Sequence, residues 1–383
     1  MTSDIVVYGA TGTTGALVAR ELQRRGVRAV LAGRDGARLT TLAHALGDAP
    51  MRVAALDDPP ALAAAIAGAR VVIGCAGPFG RIGEPLLEAA LAAGADYLDV
   101  ASEPAFVRAM YERHESAARH ARVAVVSGMG VGPALGDLAA AWAARALCDL
   151  PDEGAAVRTS AAGRIADDEP IEDIAIAHVL DHATATPGAT RSALETLGAP
   201  AVIWQHDRWD EVSPGASHWR VDAGAELGGA REAMSFPCAE VVTVPRHVAT
   251  ERVATYVSWA RAPWAMRVAG LAGRLTPWLA ATSRTAARAL EPAPPPSPEM
   301  RARTRFAVIA RCRSGFDEAR VTVSGRDVYA TTAAIAAWAA LGLAGRERGP
   351  IGVLAPSEVF APAAALAALA DAAGLVIDTS FAR

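Results

Sequence analysis

Seven residues near the N-terminus, Gly9-Ala10-Thr11-Gly12-Thr13-Thr14-Gly15, constrain this chain more than any other stretch. They follow a short apolar run, Ile5-Val6-Val7-Tyr8, and lead into Thr14 to Arg25, where Leu17, Val18 and Leu22 share one helical face. A glycine-rich turn between a strand and a helix suits the cradling of phosphates. Gly9 permits the tight turn, Gly12 lets the backbone approach a pyrophosphate, and Gly15 allows close helix–sheet packing. Exposed N–H groups at the helix start, among Thr11, Thr13 and Thr14, then face the anion. The spacing GxxGxxG is weak alone; its place at the head of a strand–helix alternation makes it specific.

That alternation continues to about residue 147. Strands are expected at Ala29–Ala32, Met51–Leu56, Val71–Ile73, Tyr97–Val100 and Val123–Val126, with helices between them and a last helix at Leu135–Leu147. Short apolar strands separated by helices predict an α/β Rossmann domain, a doubly wound parallel sheet covered on both faces. After Pro151 the pattern changes. Strand-like runs at Val157–Gly163, Ala201–His206, Glu240–Val244, Ala254–Trp259, Arg305–Cys312 and Ala319–Ser324 predict an α+β second domain with a mixed sheet. Helices are expected there at Ile171–Ala185 and Thr190–Leu197. Residues 1–147 therefore read as the nucleotide-binding domain and 148–330 as a substrate or oligomerisation domain. Residues 331–383, two helices and a strand, are expected to pack back on the first domain. Residues 263–298 stand apart: Trp264 and Trp278 recur among arginines, then a Pro-rich spacer follows. This segment reads as a lid or an oligomer contact, with membrane contact as an alternative.

The 383 residues suffice for two or three domains, and 52% hydrophobic content allows a sizeable core. A net charge of −4 argues against nucleic acid as a partner. All 37 basic residues are arginine, so Schiff-base and lysine general-acid chemistry are excluded. Cys75, Cys148, Cys238 and Cys312 are far apart, without a CxxC pair, so no metal site or disulfide framework is expected. His178 and His182 lie at i,i+4 spacing on an expected helix with no evident third ligand, and read as a solvated face. Val328–Gly345 is the longest uncharged run, mostly alanine and threonine, and reads as a buried helix. No basic stretch followed by an apolar run opens the chain, so the expected location is cytoplasmic.

The second strand ends in Arg34, which suits the 2′-phosphate of NADP, with Asp35 as the alternative ribose ligand. The expected cofactor is thus NADPH/NADP. Asp57 could bond the adenine amino group, or Asp57 or Asp58 could cap the next helix. Cys75-Ala76-Gly77-Pro78-Phe79 closes the fourth strand and should run along the cofactor near its nicotinamide ribose, with Cys75 a small buried residue.

These stretches, with Ala95 to Glu103, Pro296 to Arg301, Gly325 to Thr332 and Gly352 to Pro356, resemble the saccharopine dehydrogenase-like NADP-dependent oxidoreductases, in the branch of the trans-acting enoyl reductases. The family usually carries glycine before its glutamate; here it is Ser102. Saccharopine dehydrogenases are associated with an active-site lysine, which this chain lacks. The resemblance implies NADPH-dependent hydride transfer to a conjugated C=C bond of an apolar acyl or polyketide-like substrate, small or carrier-bound, in secondary metabolism. Imine (C=N) reduction and a non-catalytic NADP-binding regulator are the alternatives; the imine case would need arginines such as Arg158 or Arg164 for a substrate carboxylate. Proton-donor candidates are Glu103, Asp99 and Tyr329. Trp204, Trp209, Trp219, Phe236, Trp259, Trp264 and Trp278 could line a broad pocket or fill a core. A homodimer is expected.

Overall fold

A computed structural model describes residues 4–150, 164–197, 201–213, 215–259, 295–346 and 349–382. The segment 263–290, Arg158 and the strand expected at Val157–Gly163 lie outside the described residues, as do Trp264 and Trp278. The chain divides into two units. The first comprises Met1–Ala101, Ala105–Gly130 and Tyr329–Val359; the second comprises Ser102–Pro104, Val131–Val328 and Phe360–Arg383.

The first unit alternates as expected: β1 (Ile5–Tyr8), α1 (Thr13–Arg24), β2 (Val30–Gly33), α2 (Gly36–Ala45), β3 (Met51–Val53), α3 (Pro59–Ile66), β4 (Val71–Gly74), α4 (Phe79–Ile82), α5 (Glu84–Ala93), β5 (Asp96–Asp99), α6 (Pro104–Ala121) and β6 (Ala124–Val126). β1, β2 and β4 are buried at every residue, which is why their sequences are unbroken apolar runs rather than alternating ones. α1 turns Gly15, Val18, Ala19 and Leu22 inward at helical spacing. Asp35 caps α2 by accepting from the Arg38 N–H at 3.0 Å, and Asp58 caps α3 by accepting from Ala61 N–H at 3.1 Å. All strands of the sheet run parallel, in the order β15-β6-β5-β4-β1-β2-β3, where β15 is Gly352–Leu354. The chain winds outward from β1 to β3, then restarts at β4 on the other side of β1. The reversal opens a crevice beyond the carboxyl ends of β1 and β4.

The helix Val328–Gly345 precedes β15 and buries Thr331 through Ala337 together with Ala339, Ala340 and Leu343. It is long and apolar enough to cross a membrane by length and composition, and half of it is buried within the fold.

The second unit holds α7 (Pro133–Leu147), β7 (Asp173–Asp181), α8 (Pro187–Leu197), β8 (Ala201–Gln205), β9 (Arg208–Val212), β10 (His218–Asp222), β11 (Ala230–Ser235), α9 (Glu240–His247), β12 (Arg252–Ser258), β13 (Arg305–Ser314), β14 (Asp317–Arg326) and β16 (Val376–Ala382). Its mixed sheet runs β10-β11-β12-β7-β13-β14-β16, with β8 pairing both β12 and β9. Among the described strands, only β12 and β7 pair in parallel. α7 lies against this sheet, its Ala140 carbonyl 3.6 Å from Cys312 Sγ on β13. Small side chains line the sheet's other face at Ala175, Ala177, Ala254 and Ala307.

Four expectations are corrected here. The helix expected at Ile171–Ala185 is β7, because Ile174 and Ile176 alternate with Ala175 and Ala177 and both faces of the strand are buried. The strand expected at Glu240–Val244 is α9; Glu240, Val241, Val242, Thr243 and Val244 are all buried, and burial outweighs the β-branched preference. α7, expected to end the first domain, belongs to the second unit, whose sheet buries it. Residues 331–383 do not stay together: β15 joins the first sheet, whereas β16 pairs with β14 in the second, Val323 opposite Ile377.

Candidate cofactor crevice and a buried polar cluster

Two loops close on each other at the crevice of the first unit. Gly9 adopts a left-handed φ of +78°, and a Cβ there would stand 2.8 Å from the Ala76 nitrogen. Only glycine allows the β1 and β4 loops to meet so closely. A Cβ on Gly15 would lie 2.3 Å from the Gly9 carbonyl oxygen, so the start of α1 is also pressed onto the turn. Gly12 caps α1 without any side chain, and no acidic residue occupies the first turn. The amides of Thr13, Thr14 and Gly15 therefore head a twelve-residue helix with a bare positive end, an arrangement suited to a pyrophosphate. The Thr11 carbonyl is held from outside by Arg38, whose Nη2 donates at 2.8 Å. Sequence reading missed Arg38; its place in the first turn of the helix after Arg34 was the available signal.

Arg34 is exposed at the end of β2. Asp35, the alternative ribose ligand, is committed to the α2 cap. Asp58 rather than Asp57 caps α3, so Asp57 stands exposed without that duty. Tyr8 sits near both charges. Burial pushes its phenol up to about 12; Arg34 opposes the rise and Asp57 adds to it. Its hydroxyl donates to the Ala54 carbonyl at 2.9 Å, which pins the end of β1.

The loop Cys75–Phe79 runs along the crevice. Cys75 N–H bonds the Tyr8 carbonyl at 2.9 Å, and Phe79 packs on Phe106, ring centroids 5.6 Å apart. Pro78 is buried, whereas Gly77 is exposed. Burial first, then Asp99, pushes the Cys75 thiol up to about 12.

The proton-donor candidates differ in their freedom. Asp99 is fully buried, and its Oδ1 accepts from Ala101 N–H (2.9 Å), Gly128 N–H (2.9 Å) and the Ser127 hydroxyl (2.8 Å). That carboxylate ties the end of β5 to the loop after β6. Burial and Asp99 together push the neighbouring Tyr97 hydroxyl well above its ordinary value. Glu103 is buried in the second unit; its Oε2 accepts from Ser102 N–H at 2.9 Å and its Oε1 from the Ser192 hydroxyl at 2.8 Å. Tyr329 opens the helix Val328–Gly345, half-buried.

The second unit carries charges that were misplaced by sequence reading. His178 stands on β7, and His182 lies beyond the strand's end at φ +51°, so the two do not share a helical face. His178 Nε2 lies 2.8 Å from Oε1 of Glu240 on α9. Burial pulls the imidazole down, but Glu240 and Cys238 raise it well above its ordinary value. Asp137, fully buried in the middle of α7, meets His247 Nε2 at 2.9 Å. Arg164 pairs with Asp167 at 3.2 Å. Of the aromatics expected to line a pocket or fill a core, two pack on each other. Trp204 and Trp209 are cross-strand partners with centroids 5.0 Å apart, and Trp219 lies edge-on to Tyr256 under Arg311. Phe236 packs against Met234 and Val257, and Trp259 is exposed.

Residues 5–126 match the model of the saccharopine dehydrogenase NADP binding domain. A trans-acting enoyl reductase of Mycobacterium leprae is 38% identical over 133 residues, 33% of this chain and 32% of that protein. A trans-acting enoyl reductase of Mycobacterium tuberculosis is 42% identical over 111 residues, 27% of each chain. The chain thus spans about a third of the length of the curated relatives it matches. The solved apo saccharopine dehydrogenase (L-Glu forming) of Saccharomyces cerevisiae shares the fold across 99% of both chains, with a TM-score of 0.61 at 14% identity.

Proposed function

From the saccharopine dehydrogenase-type NADP-binding domain of residues 5–126, we propose that this protein is an NADPH-dependent reductase. The substrate we assign is an apolar acyl or polyketide-like molecule, free or carrier-bound, reduced at a conjugated C=C bond. The names of the curated relatives and the absence of lysine both favour that choice over saccharopine-type amine chemistry.

The observation that carries the reading is the uncapped start of α1, set in the crevice where the sheet order reverses. The amides of Thr13, Thr14 and Gly15 bind the pyrophosphate, Arg34 the 2′-phosphate, and Asp57 the adenine amino group. Bound NADPH supplies the hydride. Gly77, Pro78 and Phe79 border the crevice and shield it from water. Glu103, already held by Ser102 and Ser192, Tyr329 or a water delivers the proton to the α carbon of the enolate that hydride addition at the β carbon leaves.

The test is NADPH oxidation followed at saturating cofactor with an enoyl thioester, an enone, a cyclic imine and an amino-acid imine. Turnover of the C=C substrates supports the reading. Turnover of the imines alone transfers the chain to C=N reduction, and tight NADPH binding with no turnover on any of the four leaves a cofactor-binding regulator. A Glu103→Gln variant is expected to keep NADPH affinity and lose about 10²–10⁴-fold in rate.

A further inference from the structure

Inside the second unit, three side chains able to bind a metal converge from two elements distant in sequence. His178 comes from β7, Glu240 begins α9, and Cys238 lies two residues ahead of it. One donor atom of each lies within 4.8 Å of the other two. Glu240 is fully buried, yet among the described residues neither of its oxygens receives an aligned hydrogen bond, and neither does His178 Nε2 make one. The two approach to 2.8 Å, Nε2 to Oε1. A carboxylate removed from water without donors is costly and calls for a cation. One imidazolium answers one oxygen and leaves the other bare.

The surroundings hold the three groups in place. Gly136 of α7 makes room for Glu240, because a Cβ there would stand 2.3 Å from Oε1. Cys238 N–H donates to the Thr255 hydroxyl at 3.2 Å, and that hydroxyl donates to the Phe236 carbonyl at 2.6 Å, which fixes the approach to α9. The Asp137–His247 contact fixes the far end of α9. Gly132 leaves space beside the imidazole: a Cβ there would stand 3.7 Å from Cε1.

We propose that His178, Cys238 and Glu240 form a zinc(II) site. One nitrogen, one sulfur and one oxygen are a donor set that zinc accepts, and three protein ligands leave a fourth position for water. Bonds of about 2.0–2.3 Å place tetrahedral ligands roughly 3.3–3.7 Å apart, so small side-chain shifts complete the site. On binding, metal–nitrogen, metal–sulfur and metal–oxygen bonds form, while the thiol S–H and the imidazolium N–H break and two protons leave to solvent. Imidazolium, carboxylate and thiol sum to zero charge, and so do zinc(II), thiolate and carboxylate. The metal therefore adds no net charge to a buried place. This inference stands apart from the reductase reading.

The test uses the full chain, stripped by a chelator, then refilled with zinc and dialysed. One zinc per chain by elemental analysis is expected. Cobalt(II) in its place should give a near-ultraviolet thiolate charge-transfer band and the strong visible bands of tetrahedral cobalt. Cys238→Ser should remove the near-ultraviolet band and weaken zinc binding at least about a hundredfold, since even outer partners of a metal site contribute 10–100-fold. If Cys238→Ser does not fold, the stoichiometry and the cobalt spectrum of the unaltered chain decide. A folded chain that still binds NADPH but retains well under one zinc and gives no cobalt band overturns the site, as does undiminished zinc in Cys238→Ser. NADPH binding is read on the same samples, so a failed zinc site and a failed cofactor site are told apart.

Discussion

Asp99 and Glu240 are both carboxylates with no exposed surface, one in each unit, and they are treated in opposite ways. Asp99 sits where β5 ends, and three donors from its own and a neighbouring loop converge on it. Glu240 opens α9, and neither of its oxygens receives an aligned hydrogen bond among the described residues. The contrast explains why Asp99 is a structural knot, whereas Glu240 needs a cation.

The largest effect that would break this contrast is on stability. Asp99→Ala strands two amides and a hydroxyl, and about 3–5 kcal/mol of loss in urea unfolding is expected. Glu240→Gln in the metal-free chain strands no donor, because His178 relaxes to neutral imidazole, and about 1–2 kcal/mol is expected. Equal losses would show that the two acids are held alike. Next come two glycines whose added Cβ meets an oxygen at the same 2.3 Å. In Gly15→Ala the oxygen belongs to the Gly9 backbone and cannot yield, so about 1–3 kcal/mol is lost and NADPH binding with it. In Gly136→Ala the oxygen ends the Glu240 side chain, which can swing, and a smaller stability loss with full NADPH binding is expected.

Arg34→Ala sharpens the same comparison at the open end of the first unit. A charge-assisted contact contributes about 1.5–3 kcal/mol, so NADPH affinity by calorimetry should fall about ten- to a hundredfold, with NADH unchanged. A parallel fall for NADH would assign Arg34 to the fold. The smallest effect separates the neighbouring acids. Asp35→Ala and Asp58→Ala should each cost about 1 kcal/mol in thermal unfolding through a lost cap, while Asp57→Ala leaves the melting temperature in place.

The first unit was legible because its strands are buried on both faces and its turns carry their own chemistry. Ile5–Tyr8 followed by Gly9 allows few other structures. The second unit was misread where alanine and valine changed roles. Asp173–Asp181 contains three of its nine residues as alanine or valine, and with small residues on both buried faces it shows no clean alternation. Val241, Val242 and Val244 favour a strand locally, and only the pocket around α9 makes them helical. That misreading hid the cluster, since His178 was paired with His182 by spacing along a helix that does not exist. The partners that matter, Cys238 and Glu240, are far away in sequence, and no local pattern links them.

The strand Gly352–Leu354 closes the edge of the first sheet beside β6, although Val131–Val328, the larger part of the second unit, is written between them. During synthesis the edge of β6 therefore stays bare on that side until Gly352–Leu354 leave the ribosome. A fragment that stops at β6 carries the entire nucleotide fingerprint together with an adhesive edge. Chaperone demand, and the solubility of any shortened version, follow from where that one short strand is encoded.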